Sequence, residues 1–142
     1  MDFRKASASA AKAIADLHAY VHRCGLEHAL LELVKLRASQ INGCANCVNL
    51  HANRLRESGE TEARIQNVVV WWEATCFDDR EKAALAWTDS VTLVADTRVP
   101  DDDYDRVRKH FSEKELIDLT LAICTINVHN RLAVAFRRKP GS

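Results

Sequence analysis

The stretch from Ser112 to Phe136 constrains the fold of this chain more than any other. Ser112, with Glu115 three residues later, is a capping box: each side chain answers the other's backbone N–H, which sets the start of a helix. Then come Leu116, Ile117, Leu119, Leu121, Ala122, Ile123, Ile126, Val128, Leu132, Ala133, Val134 and Phe136, with no Gly or Pro between them. A helix apolar on nearly every side leaves little face for water. It belongs at the centre of a helical core or under a partner. In a chain of 142 residues, enough for one domain with a sizeable core, the expectation is an all-α domain that assembles as a homo-oligomer.

The rest of the chain agrees with that class. Gly (4) and Pro (2) are scarce and 47% of residues are hydrophobic, so long helices meet few breakers. The most strand-like run, Asn67 to Trp72, lies in a helical context and reads as well as a buried helix. A single domain over 1–142 with about six to seven helices is expected. The first runs from about Ala6 to Cys24 and stops at Gly25; the second runs from Glu27 to Ile41 and ends at Asn42-Gly43. A third starts at Cys44-Ala45-Asn46-Cys47 and stops near Gly59. A fourth, capped by Thr61, ends around Trp72. Asp78 and Glu81 form a second capping box, opening a fifth helix through Val94; Pro100 opens a short sixth to about His110. Trp71, Trp72 and Trp87 are expected in the core or in subunit contacts, and Cys24, Cys76 and Cys124 as packing residues. His18, His22, His28 and His110 read as surface or boundary positions. His129 and Asn130 read either as pocket lining or as core contacts.

Charge and hydropathy exclude several functions. Twenty basic and twenty acidic residues give zero formal charge and no basic stripe, so nucleic acid is not expected as a partner. No apolar stretch approaches about 18 residues, so no membrane span is expected; the N-terminal region lacks a continuous apolar segment, and a cytoplasmic location follows as the default. In a reducing compartment a close cysteine pair is catalytic or metal-binding more often than structural.

Cys44-x-x-Cys47 is that pair. A free thiol, with a pKa of about 8.5, supplies little thiolate at neutral pH. Gly43 permits the turn that puts Cys44 at a helix start, where unpaired N–H groups and the helix dipole favour negative charge. His51, four residues after Cys47, falls on the same helix face and can accept or return a proton. Glu32 sits in Ala29-Leu30-Leu31-Glu32-Leu33-Val34 on the preceding helix. A carboxylate among apolar neighbours needs a partner, which a histidine or thiol of the next helix can supply. The rival for the cysteines is a structural zinc site. It requires a second Cys or His pair at close spacing, which Cys24, Cys76, Cys124, His22 and His129 do not form in sequence.

The combination of Glu32, Cys44-x-x-Cys47 and His51 resembles the AhpD-like alkylhydroperoxidases of the carboxymuconolactone decarboxylase superfamily. Leu33 to Cys44, His51-Ala52, Gly59-Glu60-Thr61, Arg80 to Trp87 and Ile126 to Arg131 carry the same resemblance, which spans about residues 15–138. It implies an all-helical fold assembling as trimers or hexamers, and thiol-dependent reduction of hydroperoxides without metal or flavin. By that resemblance Cys47 attacks the peroxide, Cys44 resolves the sulfenic acid as a disulfide, and His51 with Glu32 relays protons. An external thiol or a lipoyl-type donor would recycle the disulfide. One position departs from the pattern. The best characterised members carry a histidine just before the second cysteine; here Asn46 stands there, and Asn cannot carry a proton at neutral pH. Two other functions remain open: a thiol–disulfide oxidoreductase or redox sensor acting on a protein, and a non-enzymatic helical module with structural zinc.

Overall fold

The computed structural model describes residues 1–141, whose regular structure is all helical, with no strand among them. Nine α-helices follow in order: α1 (Phe3–Ala6), α2 (Ala8–His22), α3 (His28–Ile41), α4 (Ala45–Glu57), α5 (Glu62–Asn67), α6 (Asp79–Thr92), α7 (Val94–Thr97), α8 (Asp101–Arg108) and α9 (Glu113–Ala135). A single 3₁₀ turn, Val68–Val70, follows α5.

The extra helices come from breaks that periodicity hides. Ser7 is extended (φ −146°) and its side chain caps Ala10, so the expected first helix begins at Ala8 as α2, and a short helix not expected from the sequence, α1, precedes it. At the other end of α6, Leu93 leaves helical geometry and the chain re-enters a single turn, α7. Arg98 and Val99 then take positive φ before Pro100 starts α8. The expected helix through Trp72 ends at Asn67. Beyond it Val68 and Trp71 are buried, while Val69, Val70 and Trp72 face outward, Trp72 being 56% exposed. Trp72 is therefore not a core residue. Both expected capping boxes, Asp78/Glu81 and Ser112/Glu115, are present.

Helices α3 and α9 organise the core. α3 packs on α4, α6 and α9, and α9 packs on α2, α3, α4, α6 and α8. Leu30, Leu31 and Val34 of α3 join Leu119, Ala122 and Ile123 of α9 in one apolar cluster with Trp87 and Val107. Leu33 and Leu36, on the other side of α3, pack with Leu55, Ile65, Val68 and Leu85 in a second. α9 is less enclosed than its composition suggests. Ile117 is 68% exposed, Val134 43%, and Cys124, seven residues after Ile117 on the outward side, is exposed too rather than a packing residue. Cys24 and Cys76 are only partly buried against the two clusters, as packing residues. No helix among the described residues is long and apolar enough to cross a membrane.

Candidate active site

The site is built where α3 stops and α4 starts. Gly43 follows the C-cap of α3 in left-handed conformation (φ +67°). Its N–H donates to Gln40 O (3.2 Å) and the Cys44 N–H to Ser39 O (3.0 Å), a paired closure that satisfies the last carbonyls of α3. A side chain at Gly43 would be strained whatever the surrounding space. The next residue, Cys44, is already the N-cap of α4, and its sulfur accepts from the Cys47 N–H at 3.3 Å. One residue therefore separates the two caps, which aims both cysteines into the first turn of α4. Cys44 and Cys47 are joined in a disulfide, their Cα atoms 5.3 Å apart. Both are buried, at 2% and 4% exposure, against Ala133 of α9.

A polar lattice holds this corner against α9. Asn42 donates to both Asn127 Oδ1 and Asn130 Oδ1 at 3.0 Å, and Asn130 donates to Ser39 Oγ at 3.0 Å. Asn130 is fully buried, so of its two sequence readings it is the satisfied core contact.

Glu32 and His51 come together as the sequence suggested. His51 Nδ1 lies 2.7 Å from Glu32 Oε2, and both side chains are buried. Burial pushes the Glu32 carboxyl up, but the hydrogen bond to His51 and the Lys35 ammonium outweigh it and hold the group at about 2. His51 moves the other way: burial, with the nearby charges of Lys35 and Arg54, outweighs Glu32 and lowers it below its ordinary value. Glu32 is thus ionised and His51 neutral at pH 7. An ionised carboxylate only accepts, so the imidazole proton sits on Nδ1 and Nε2 is the basic nitrogen.

Three further polar residues belong to the site. Lys35 is only 4% exposed and donates to Glu32 Oε1 at 3.3 Å. Its signal was available: Lys35 lies three residues after Glu32 in the same apolar run, so both fall on one buried face. His18 of α2 and His129 of α9 meet edge to face, ring centroids 5.8 Å apart. Burial first, and the neighbouring positive charges second, lower His129 to about 4. Its Nε2 is buried with no hydrogen-bond partner among the described residues. His129 is therefore the pocket-lining alternative, and His18 is no ordinary surface residue. No local pattern links residues 18, 35 and 129; only the packing of α2, α3 and α9 does.

A cavity of about 620 Å³ opens over these groups. Cys47, His51, Lys35, His18 and His129 line it, as does Asn46 beside Cys47, while Cys44 does not. One sulfur of the pair is therefore presented to the cavity and the other lies behind it. No cluster of three or more His, Cys, Asp or Glu residues suited to a metal ion occurs among the described residues.

Comparison with known proteins places this arrangement. The family model of the carboxymuconolactone decarboxylase family matches residues 8–90, which include the cysteine pair, Glu32 and His51. The uncharacterized protein YdfG of Bacillus subtilis is 39% identical over 131 residues, covering 92% of this chain and 89% of YdfG. The crystal structure of an Agrobacterium tumefaciens protein of unknown function, for which the antioxidant defence role of AhpD has been suggested, superposes with a TM-score of 0.97. That pair is 44% identical and covers 100% of this chain and 97% of the other. The alkyl hydroperoxide reductase AhpD of Azorhizobium caulinodans is similar over a shorter segment, 42% identical over 45 residues, 32% of this chain and 25% of AhpD. With its matched family model, its fold and the Cys44–Cys47 pair, the chain belongs to the carboxymuconolactone decarboxylase family and is of the AhpD-like kind.

Proposed function

We propose that the protein is a thiol peroxidase that reduces organic hydroperoxides through Cys47 and Cys44. The observation that carries this reading is the asymmetry of the pair: Cys47 lines the cavity and Cys44 does not. In the reduced protein, His51 Nε2 takes the Cys47 proton, with Nδ1–H held by Glu32. The Cys47 thiolate attacks the terminal oxygen of ROOH. The O–O bond breaks, Cys47 becomes the sulfenic acid, and RO⁻ takes the proton back from His51 to leave as ROH. Cys44 then attacks the Cys47 sulfur, hydroxide leaves and is protonated to water, and the disulfide closes. The balance is ROOH plus two thiols to ROH, water and one disulfide.

Recycling takes two electrons from an external dithiol, of the low-molecular-weight or lipoyl type. The cavity gives that dithiol access to Cys47, so Cys44 is the leaving group. Cys44 sits at the N-cap, where the Cys47 N–H and the α4 dipole favour the departing thiolate. The N-cap thus serves the resolving and leaving role of Cys44, while access through the cavity serves the attacking role of Cys47. Asn46 cannot relay protons. In this reading His129, neutral and with an unanswered ring nitrogen, is the group on the opposite wall that can hydrogen-bond the hydroperoxide. The outward apolar residues of α9, Ile117 and Val134 among them, support burial against further copies of the chain, as a homotrimer or homohexamer.

Steady-state peroxidase assays with a dithiol reductant test the reading. Turnover with cumene hydroperoxide that is lost in Cys47→Ser is expected. A poor rate with every peroxide together with fast exchange on a protein disulfide would assign the same cysteines to disulfide exchange instead.

A further inference from the structure

The cavity is larger and more specialised than a small peroxide requires. At about 620 Å³ it lies within the range of roughly 300–1,000 Å³ usual for pockets that bind drug-sized ligands. One water occupies about 30 Å³ of liquid, so hydrogen peroxide would fill roughly a tenth of it. Its walls are apolar: Ile14 of α2, Leu50 of α4, Ile126 and Leu132 of α9, and Phe136. Its exposed edge is cationic, formed by Arg4, Arg54 and Arg137. Asp2 is the only carboxylate among the described lining residues, and it is paired with Arg4 at 3.3 Å. Lys35, buried at the reactive end, is answered by Glu32, which is not a lining residue, so the cationic character lies at the exposed edge.

Charge and reactivity are spaced along one helix. Cys47, Leu50, His51 and Arg54 share a face of α4, so Arg54 stands two turns, or about 10 Å, from Cys47 along the axis. A chain held by an anionic group at Arg54 runs over Leu50 and reaches the sulfur with its middle. Arginine recognises carboxylates through paired N–H donors and keeps its charge at every working pH.

We propose that the cavity selects a long-chain hydroperoxide bearing a free carboxylate, of the fatty-acid hydroperoxide type, with the carboxylate at the arginine edge and the hydroperoxide at Cys47. This substrate class rests on the peroxidase reading above. The arginine edge and the apolar walls are independent of that reading and also act on the unreactive parent acid.

The test compares linoleic acid hydroperoxide, its methyl ester and cumene hydroperoxide as oxidants of the reduced protein at low and high salt. The free acid is expected to have a kcat/KM about tenfold or more above the ester, the factor one charge-assisted contact carries. Salt should shrink the ratio, because the edge is exposed. Arg54→Gln should narrow the ratio further; the side chain is exposed, so folding should hold and circular dichroism checks it. Equal rates for acid and ester, with the disulfide formed by all three, would overturn the substrate class and leave the peroxidase reading standing. An Arg54→Gln ratio unchanged from wild type, with slower recycling by a protein dithiol, would also overturn it and give the edge to the reductant. If no peroxide oxidises Cys47, the peroxidase reading fails, and binding decides the rest. Displacement of fluorescent cis-parinaric acid from the oxidised protein by linoleic acid, and not by methyl linoleate, would uphold the anionic-chain pocket; no displacement would overturn it.

Discussion

Two regions of this molecule bury charge, and they do so differently. Around α5, α6 and the start of α9, arginines are matched one by one. Arg64 meets Glu60 and Glu81, Arg80 meets Glu27 and Glu115 and stacks 4.0 Å over Phe111, and Arg37 meets Asp89, which also accepts from Trp71. Each guanidinium there is answered by at least one carboxylate. At the cysteine corner one carboxylate, Glu32, answers both Lys35 and His51, while His18, His129 and Arg54 add basic groups around it. One ring nitrogen there has no partner among the described residues. Charges that cancel tie helices together. Charges and donors left in excess beside a cavity are set for something that comes from outside.

Substitutions can break this contrast. The largest effect is expected from Cys44→Ser, which should end turnover while still allowing Cys47 to react. One equivalent of hydroperoxide should then leave an oxidised Cys47 that a dimedone-type reagent traps as the sulfenic acid. Absence of any trapped adduct would reverse the roles of the two sulfurs.

Glu32→Gln comes next. From the sequence alone this change should slow thiolate formation without harming the fold, but Lys35 alters that expectation. Removing the carboxylate leaves a lysine at 4% exposure without its counter-charge, which should lower stability by about 3 kcal/mol in urea titrations. Adding Lys35→Met should recover part of the loss without restoring the rate. Full stability in the single variant would show that Lys35 reaches water through the cavity.

The matched region should behave in the opposite sense. Arg80→Ala loses two carboxylate contacts and the stacking on Phe111, and should cost about 1–3 kcal/mol. Its rate of disulfide formation per folded molecule should equal that of wild type. A slowed rate would mean that the two regions are coupled.

The last effect lies in pH. Between its ordinary 6.5 and about 4, His129 stays neutral in the folded protein but takes up a proton once unfolded. Stability therefore falls as pH drops through that window. Glu32, held at about 2 against an ordinary 4.5, adds a second loss as pH falls from about 4.5 toward 2. His129→Gln should reduce the slope of the first segment of the melting profile, which His51 and His18, also lowered by burial, share, and leave the second. An unchanged slope between pH 6.5 and 4 would count against the neutral, buried imidazole.

What could be read from the sequence was local. The two capping boxes, the glycine stop before the cysteines and the i+4 spacing of His51 are each enforced by backbone groups within one turn, so their residues declare themselves. The pairing of Glu32 with His51 crosses a tight corner between two helices, and its legibility rests on the family resemblance together with the apolar run around Glu32. His18 and His129 are not legible, because they are 111 residues apart and meet only when α2 packs on α9. Lys35 is not legible as a site residue, because a lysine in isolation reads as a solvated charge; its burial depends on both faces of α3 being covered. The 3₁₀ turn at Val68–Val70 is not legible because the apolar pattern runs on through it.

The central claim is that peroxide enters the cavity, meets Cys47, and leaves a Cys44–Cys47 disulfide. The most direct measurement is a stopped-flow titration of the fully reduced protein with an organic hydroperoxide, quenched and read by intact mass, with Cys47→Ser run in parallel. The account predicts a loss of about two mass units in wild type, the two hydrogens of the thiols, at one equivalent of peroxide, with no such loss in the variant. Disulfide formation in wild type that proceeds no faster than with air alone, or peroxide reduction that survives Cys47→Ser, would contradict it.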